Sequence, residues 1–96
     1  MMDPSFKAHL LSYRNAYFQG TFKQNTRNGP GILITDNGLI LVCNWVNDLP
    51  VGKAFAFLNS QEYSYLEFNR GQLDGYCYSC SEREMIMIKF EKGRPV

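Results

Sequence analysis

The stretch FKQNTRNG, residues 22–29, sets an aromatic residue seven positions before a glycine, with mostly polar residues between them. The same spacing recurs in WVNDLPVG at residues 45–52 and in FNRGQLDG at residues 68–75. The three aromatics are 23 residues apart, and a fourth, Phe90, follows after 22. Because a fixed period of about 20–50 residues marks a repeat architecture, the stretch is one copy of a unit and not an isolated loop.

Each unit has the pattern of a β-hairpin. A short apolar run precedes every aromatic and another follows every glycine, as in LILVCNW and GKAFAFL around the second turn. Gly71 and Gly93 lie three residues after their aromatics and supply a positive φ for the turn. Asn25 and Asp48 occupy the equivalent positions and tolerate that conformation. Since the links between hairpins are also short, the sequence predicts one antiparallel meander of about seven strands.

The residues before the first hairpin differ from the repeats. In DPSFKAHLLSYRNA, Asp3 can cap a helix and Pro4 suits its first position. The apolar residues that follow fall on one helical face: Phe6, Leu10 and Tyr13. We therefore predict a helix over about residues 4–15 that packs against the sheet or shields its first edge strand.

The stretch YFQGTFKQNTRNGPG resembles the MORN (membrane occupation and recognition nexus) repeat, in which Tyr-x-Gly-x-Trp precedes a turn with a glycine and then Gly-x-Gly. The first copy matches at Phe18, Gly20, Phe22, Gly29 and Gly31. The resemblance implies an all-β fold: a single-layer twisted antiparallel β-meander of MORN-type hairpins, here with a short N-terminal capping helix. It also implies a protein-interaction or membrane-associated platform without catalytic residues of its own.

The domain organisation follows from these patterns. We divide the chain into an N-terminal segment with the helix, 1–16, and a MORN-repeat array, 17–96. The repeats are expected around residues 18–38, 41–61, 64–84 and 86–96. The fourth is cut at Val96, so we expect the array to continue in a longer parent protein.

Alternation along the strands assigns side chains to two faces. One face combines large rings with small residues, as a thin core requires, because strand backbone can serve as the floor for the rings. The residues expected to have this structural role are Phe22, Trp45, Phe68, Phe90, Gly20, Gly29, Gly31, Gly52 and Gly75.

The opposite face is apolar as well, although the chain is too short to cover both faces. The residues expected to bind a partner there are Tyr63, Tyr65, Tyr76, Tyr78, Phe55, Phe57, Ile40 and Met87. Tyrosine is enriched at binding hot spots, and large exposed apolar patches mark interfaces. The alternative is that the N-terminal helix, sheet curvature or a missing C-terminal part covers this face.

Composition and motifs argue against other classes of function. A net charge of +1 gives no reason to expect nucleic acid as a partner. The three cysteines are an odd count, which favours reduced thiols in the cytoplasm, and Cys77 and Cys80 point to opposite faces of a strand. The single histidine, His9, has no companion motif for catalysis. We expect no enzyme activity, no metal and no cofactor.

The leading hypothesis is a scaffolding module that binds a helix or an extended segment of a protein partner, or another copy of itself. A second is the regulatory or targeting end of a larger enzyme, since MORN arrays occur with lysine methyltransferases and phosphoinositide kinases. A third is weak peripheral contact with acidic lipids through basic residues near the turns, namely Lys23, Arg27, Lys53 and Arg70. Acidic Asp48 and Asp74 share that rim. Cytoskeletal or membrane association is a further expectation.

Overall fold

The computed structural model describes residues 15–96, which form one open antiparallel sheet with no helix in that range. The strands are β1 (Ala16–Lys23), β2 (Thr26–Thr35), β3 (Ile40–Val46), β4 (Leu49–Phe57), β5 (Tyr63–Asn69), β6 (Gln72–Leu73), β7 (Gly75–Cys80), β8 (Met85–Glu91) and β9 (Arg94–Pro95). Their order in the sheet is β1-β2-β3-β4-β5-β7-β8-β9, with β6 beside β5. The predicted all-β antiparallel meander is confirmed, and the predicted N-terminal helix lies outside the described residues.

Four two-residue turns close the hairpins at 24–25, 47–48, 70–71 and 92–93. Both residues of every turn have a positive φ, between 49° and 83°. This is the pattern of type I′ turns, whose twist matches the right-handed twist of the flanking strands. The sequence located the second turn position correctly. It missed the first, where Gln24, Asn47, Arg70 and Lys92 adopt the left-handed conformation without the help of glycine.

A second repeated feature lies after the first three turns, where glycine sits in a bulge. Thr21 of β1 lies opposite three residues of β2, 28–30. Cys43 of β3 likewise lies opposite three residues of β4, 52–54. The glycines in this position have φ values of +93° at Gly29, +74° at Gly52 and +106° at Gly75. Only glycine adopts such angles at no steric cost, so the bulge explains the fixed step from aromatic to glycine.

Neighbouring hairpins are joined by a backbone hydrogen bond at their turns. Asp48 N–H donates to the Arg27 carbonyl at 3.0 Å, and Gly71 N–H donates to the Pro50 carbonyl at 3.0 Å. Gly93 N–H donates to the Leu73 carbonyl at 2.8 Å. We call these contacts the tip bonds. Each places the second turn residue of one hairpin against the strand that leaves the turn of the hairpin before it.

The core occupies one face of the sheet. Burial alternates along β3 and β5, so that every second side chain points into it. The buried apolar side chains are Leu33, Leu39, Leu41, Cys43, Trp45, Ala54, Ala56, Leu66, Phe68, Leu73, Cys77 and Phe90. Two polar side chains are buried with them. Thr35 is hydrogen-bonded to Asn37 and Leu39, whereas the hydroxyl of Ser64 has no partner.

Phe22 departs from the structural role expected of the repeated aromatics. Trp45, Phe68 and Phe90 are buried, but Phe22 is 57% exposed. The ring of Trp45 is covered by Phe18 of the preceding hairpin, with ring centroids 5.4 Å apart. Phe22 belongs to the first hairpin, and within residues 15–96 no hairpin precedes it. Its ring meets only the edge of Phe18, at 5.2 Å.

The glycines expected to have a structural role do not all lie beneath a ring. A Cβ atom added at Gly31 would lie 2.2 Å from Phe18 Cζ, and one at Gly20 would lie 2.9 Å from it. These two glycines do make room for a ring. A Cβ atom at Gly52 would meet nothing within 4 Å. Gly29 and Gly75 face Thr21 and Glu67 instead of an aromatic, so backbone conformation is what these three positions require.

Candidate functional site

Two rows of mainly apolar side chains cross the face opposite the core, from β2 to β8. Within a row, each residue is the direct cross-strand partner of the next. Row A consists of Ile34, Ile40, Phe57, Tyr63, Cys80 and Met85. Row B consists of Ile32, Val42, Phe55, Tyr65, Tyr78 and Met87. Because neighbours on a strand that share a face are two residues apart, the rows run side by side.

The rows present a continuous exposed surface. Eight of their large side chains are between 37% and 67% exposed: Ile32, Ile34, Ile40, Phe55, Phe57, Tyr63, Met85 and Met87. Val42, Tyr65, Tyr78 and Cys80 are half-buried between them. Cross-strand neighbours on a sheet are close enough to touch, so these side chains form one patch and not scattered contacts.

Ring contacts order the centre of the patch. The rings of Phe55 and Tyr65 meet edge to face with centroids 4.9 Å apart. Phe55 with Phe57, Phe57 with Tyr63, and Tyr65 with Tyr78 have centroids 6.4 Å apart. Such separations lie in the range of favourable aromatic pairs. Five rings on β4, β5 and β7 are thus held in place before any partner arrives.

The structure places all eight sequence-predicted partner residues on this face. Seven belong to the rows, whereas Tyr76 lies beyond row B, where Lys89 Nζ sits 5.7 Å from the centre of its ring. Cys80 is a member of row A that sequence reasoning overlooked, because it was considered only as half of a Cys-x-x-Cys motif. The alternation from Tyr76 through Tyr78 could have assigned it to this face.

Charges of opposite sign border the two rows. The loops that connect one hairpin to the next, at 36–39, 58–62 and 81–84, carry Asp36, Glu62, Glu82 and Glu84 against a single base, Arg83. The half of the sheet that holds the turns carries seven bases, Lys23, Arg27, Lys53, Arg70, Lys89, Lys92 and Arg94, and four acids, Asp48, Glu67, Asp74 and Glu91. We call these two borders the connector border and the turn border.

Arg27, one of the bases predicted to line the rim, is engaged within the sheet. Its Nε lies 3.1 Å from Asp48 Oδ1, and its guanidinium carbon lies 4.6 Å from the centre of the Trp45 ring. The Arg27 backbone N–H also donates to Asp48 Oδ1, and these bonds lower the pKa of the Asp48 carboxyl. The side chain bridges two hairpins in this way and uses its Nε and one terminal nitrogen on Asp48, so only part of its guanidinium could reach a lipid headgroup.

The cysteines show no arrangement for metal or disulfide chemistry within residues 15–96. All three are free thiols, and Cys77 lies in the core while Cys80 lies in row A. Burial raises the pKa of Cys43 to about 12, although the charge of Arg27 acts in the other direction. No group of three His, Cys, Asp or Glu residues in this range could hold a metal ion, and the same residues contain no helix able to cross a membrane.

Comparison with known proteins identifies part of this sheet. Residues 18–40 match the family model of the MORN repeat, so the first hairpin and the connector after it are a MORN repeat, as the sequence pattern predicted. No curated protein matches the chain. MORN repeats are generally non-catalytic modules of protein or membrane interaction. The second and third hairpins share the turn, bulge and tip bond of the matched one, and the fourth shares the turn and the tip bond, which supports the further copies proposed from the 23-residue period.

Proposed function

We propose that the protein is a scaffolding module that binds a segment of a protein partner on rows A and B. The observation that carries this proposal is the continuous patch of large side chains, eight of which are more than a third exposed. Monomeric proteins rarely expose contiguous apolar patches larger than about 300–600 Å², and larger patches mark interaction sites. The ordered aromatic centre adds the feature expected of a hot spot, since its rings lose little freedom on binding.

The chemistry of the patch and its borders favours a protein over a membrane surface. Tyrosine combines an apolar ring with a hydroxyl that can stay hydrated or bond to a partner. The acidic connector border would repel acidic headgroups, and Arg27 is already paired. The same proposal places the module in the cytoplasm, because its three cysteines are free. Attachment to a larger enzyme would leave this role of the face unchanged.

A peptide-display selection on the immobilised 96-residue chain tests the proposal. We expect enriched peptides to bind the wild type and to lose binding to the variant Phe57→Ala/Tyr63→Ala. Phe22→Ala is the matched control, because Phe22 is an exposed ring outside the two rows, at 57% against 40% for Phe57 and 45% for Tyr63. Its binding should equal that of the wild type.

Two results would contradict the proposal. Unfolding of the Phe57→Ala/Tyr63→Ala variant at room temperature would show that these rings act as core and not as a binding surface. Enriched peptides that still bind the folded double variant would place the binding surface elsewhere. Circular dichroism and a melting curve for each variant distinguish the two results.

A further inference from the structure

The spacing of rows A and B fits an α-helix better than an extended segment. Adjacent strands lie about 4.8 Å apart, and the two rows are separated by about 6.8 Å along the strands. A helix lying across the strands presents two lines of side chains that recur about every 5.4 Å. An extended segment presents one line at about 6.8 Å, and the face of a sheet offers it no free backbone groups to pair with.

The part of the rows from β3 to β8, which holds all five rings and both methionines, sets the length of such a helix; Ile32 and Ile34 on β2 lie beyond its end. Between Ile40 and Val42 on β3 and Met85 and Met87 on β8 the rows cross five strands. Four gaps of about 4.8 Å make about 19 Å. At about 1.5 Å per residue this corresponds to a helix of about 13 residues, between three and four turns.

The connector border supplies the charge that the helix must complement. The connectors at 58–62 and 81–84 enclose an open notch of about 410 Å³, next to row A, lined by Gln61, Glu62, Ser81, Glu82, Arg83 and Glu84. The glutamates are exposed, and within residues 15–96 none of the three makes an ion pair. A helix on the rows would hold one of its flanks above this notch, where lysine or arginine side chains would meet the carboxylates.

The turn border differs, which makes the surface asymmetric. On the same face, beyond row B, lie Lys53, Glu67 and Lys89. If a helix is reversed in direction while its apolar face stays on the rows, the flank that faced the connector border comes to face the turn border. A helix with one basic flank therefore fits in one direction only, with that flank toward the connectors.

From this geometry we propose that the partner segment is an amphipathic helix of about 13 residues with one basic flank, which lies across β3–β8 with that flank over the connector border. The inference rests on the proposed function and deepens it. It names the conformation, the charge pattern and the direction of the segment that rows A and B receive.

Two synthetic helical peptides with the same apolar face provide the test. One carries lysines along one flank and glutamines along the other, and the second carries glutamates in place of the lysines. We expect the lysine peptide to bind the 96-residue chain about tenfold more tightly, since a few exposed ion pairs supply a difference of that order. The preference should weaken with added salt. Shifts of the Met85 and Met87 methyl resonances would locate the bound peptide on the rows.

A pair of charge variants decides where the preference arises. Glu82→Lys/Glu84→Lys should reverse the preference between the two peptides. Asp74→Lys/Glu91→Lys changes the net charge of the chain equally but at the turn border, and it should retain the wild-type preference. Melting curves establish that both variants are folded.

Several outcomes would overturn the inference. Equal binding of the two peptides, or an equal effect of the two double variants, would show that the connector border does not select the charge of the bound helix. The proposed binding of a protein segment on rows A and B would not be affected by that result. Failure of both peptides to bind would reject the helix as occupant, and the display selection would still decide the proposed function. A stable dimer at low micromolar concentration that excludes both peptides would make a second copy the occupant.

Discussion

Trp45 joins the first two hairpins through three different contacts. The edge of its ring meets Phe18, its Nε1 donates a hydrogen bond to the Gly31 carbonyl at 3.4 Å, and its face lies beneath the guanidinium of Arg27. All three partners belong to the preceding hairpin. The residue that marks the repeat in the sequence is thus also the residue that holds neighbouring hairpins together.

Replacing Trp45 with alanine should lower the free energy of unfolding by about 3–5 kcal/mol, as other large-to-small core substitutions do. Phe22→Ala should cost about 1 kcal/mol or less, because that ring is mostly exposed. Urea unfolding of both variants measures the difference. Equal losses would mean that Phe22 is covered in solution.

The two kinds of glycine can be separated by substitution. Gly31→Ala should cost several kcal/mol, on the order of an overpacked core, because its Cβ would collide with the Phe18 ring. Gly52→Ala should cost about 1–2 kcal/mol, since φ there is +74° and space is open. A chemically synthesised chain with D-alanine at position 52 should recover that loss. If it does not, space and not backbone conformation limits the position.

Ser64 should tolerate loss of its hydroxyl. Its Oγ is buried without a hydrogen-bond partner, so Ser64→Ala should leave the free energy of unfolding unchanged or raise it by about 1 kcal/mol. Thr35→Val is the control, because the Thr35 hydroxyl accepts the Leu39 N–H at 3.0 Å. It should cost about 1–3 kcal/mol. A comparable loss at both sites in thermal unfolding would show that Ser64 finds a partner in solution.

At the scale of the hairpin, the Arg27–Asp48 contact should make stability depend on pH. Hydrogen bonds from the Arg27 backbone and guanidinium lower the pKa of Asp48 on folding from its ordinary value of 3.8. A lowered pKa contributes stability above the ordinary value, and this contribution is lost as the pH falls through the folded-state pKa. The Asp48 side chain is 45% exposed, so the contribution is modest.

Asp48→Asn isolates this effect, because asparagine keeps the shape and tolerates the positive φ of the turn. The variant should be less stable than the wild type at about pH 7, and the difference should vanish in acid below the folded-state pKa. Chemical denaturation across this range, with both proteins measured side by side, checks the expectation. A difference that stays constant with pH would assign the loss to the hydrogen-bond geometry and not to charge.

The sequence predicted the hairpins because their signals are local. An aromatic residue, a two-residue turn and a glycine at fixed spacing encode strand, reversal and bulge within one unit. The environment of Phe22 could not be predicted in this way, because its burial depends on what lies before it. The physical reason for glycine at position 52 could not be predicted either, since a positive φ and a covering ring both select glycine.

For the molecule as a whole, the two faces were predictable from alternation, and so was the aromatic patch. The rows were not, since they depend on the register of strands up to several dozen residues apart, which the bulges shift. The basic rim near the turns was predicted, but the acidic connector border was hidden for the same reason. Glu62 and Glu84 are 22 residues apart in sequence, and they line the same notch because their two connectors lie side by side.

Hydrogen exchange should show how the array distributes its stability. Amides that bond across β3, β4 and β5 have a hairpin on either side and should exchange slowest. The amide of Arg94 should exchange first, because β9 is a two-residue strand that pairs only with β8 and its other residue, Pro95, has no N–H. Mass spectrometry of the full chain measures both regions at once. Uniform protection would mean that the sheet opens only as a whole.

The tip bonds have a consequence for how such a chain can change in length. Each tip bond links one turn to the strand that leaves the previous turn, about one period earlier in sequence. An insertion of a few residues within a strand would move the donor away from its acceptor, and an odd number of them would also reverse the two faces beyond that point. Duplication of an entire period would restore both. The sheet can therefore be lengthened or shortened, by evolution or by protein engineering, in full repeat units but not in fractions of a unit.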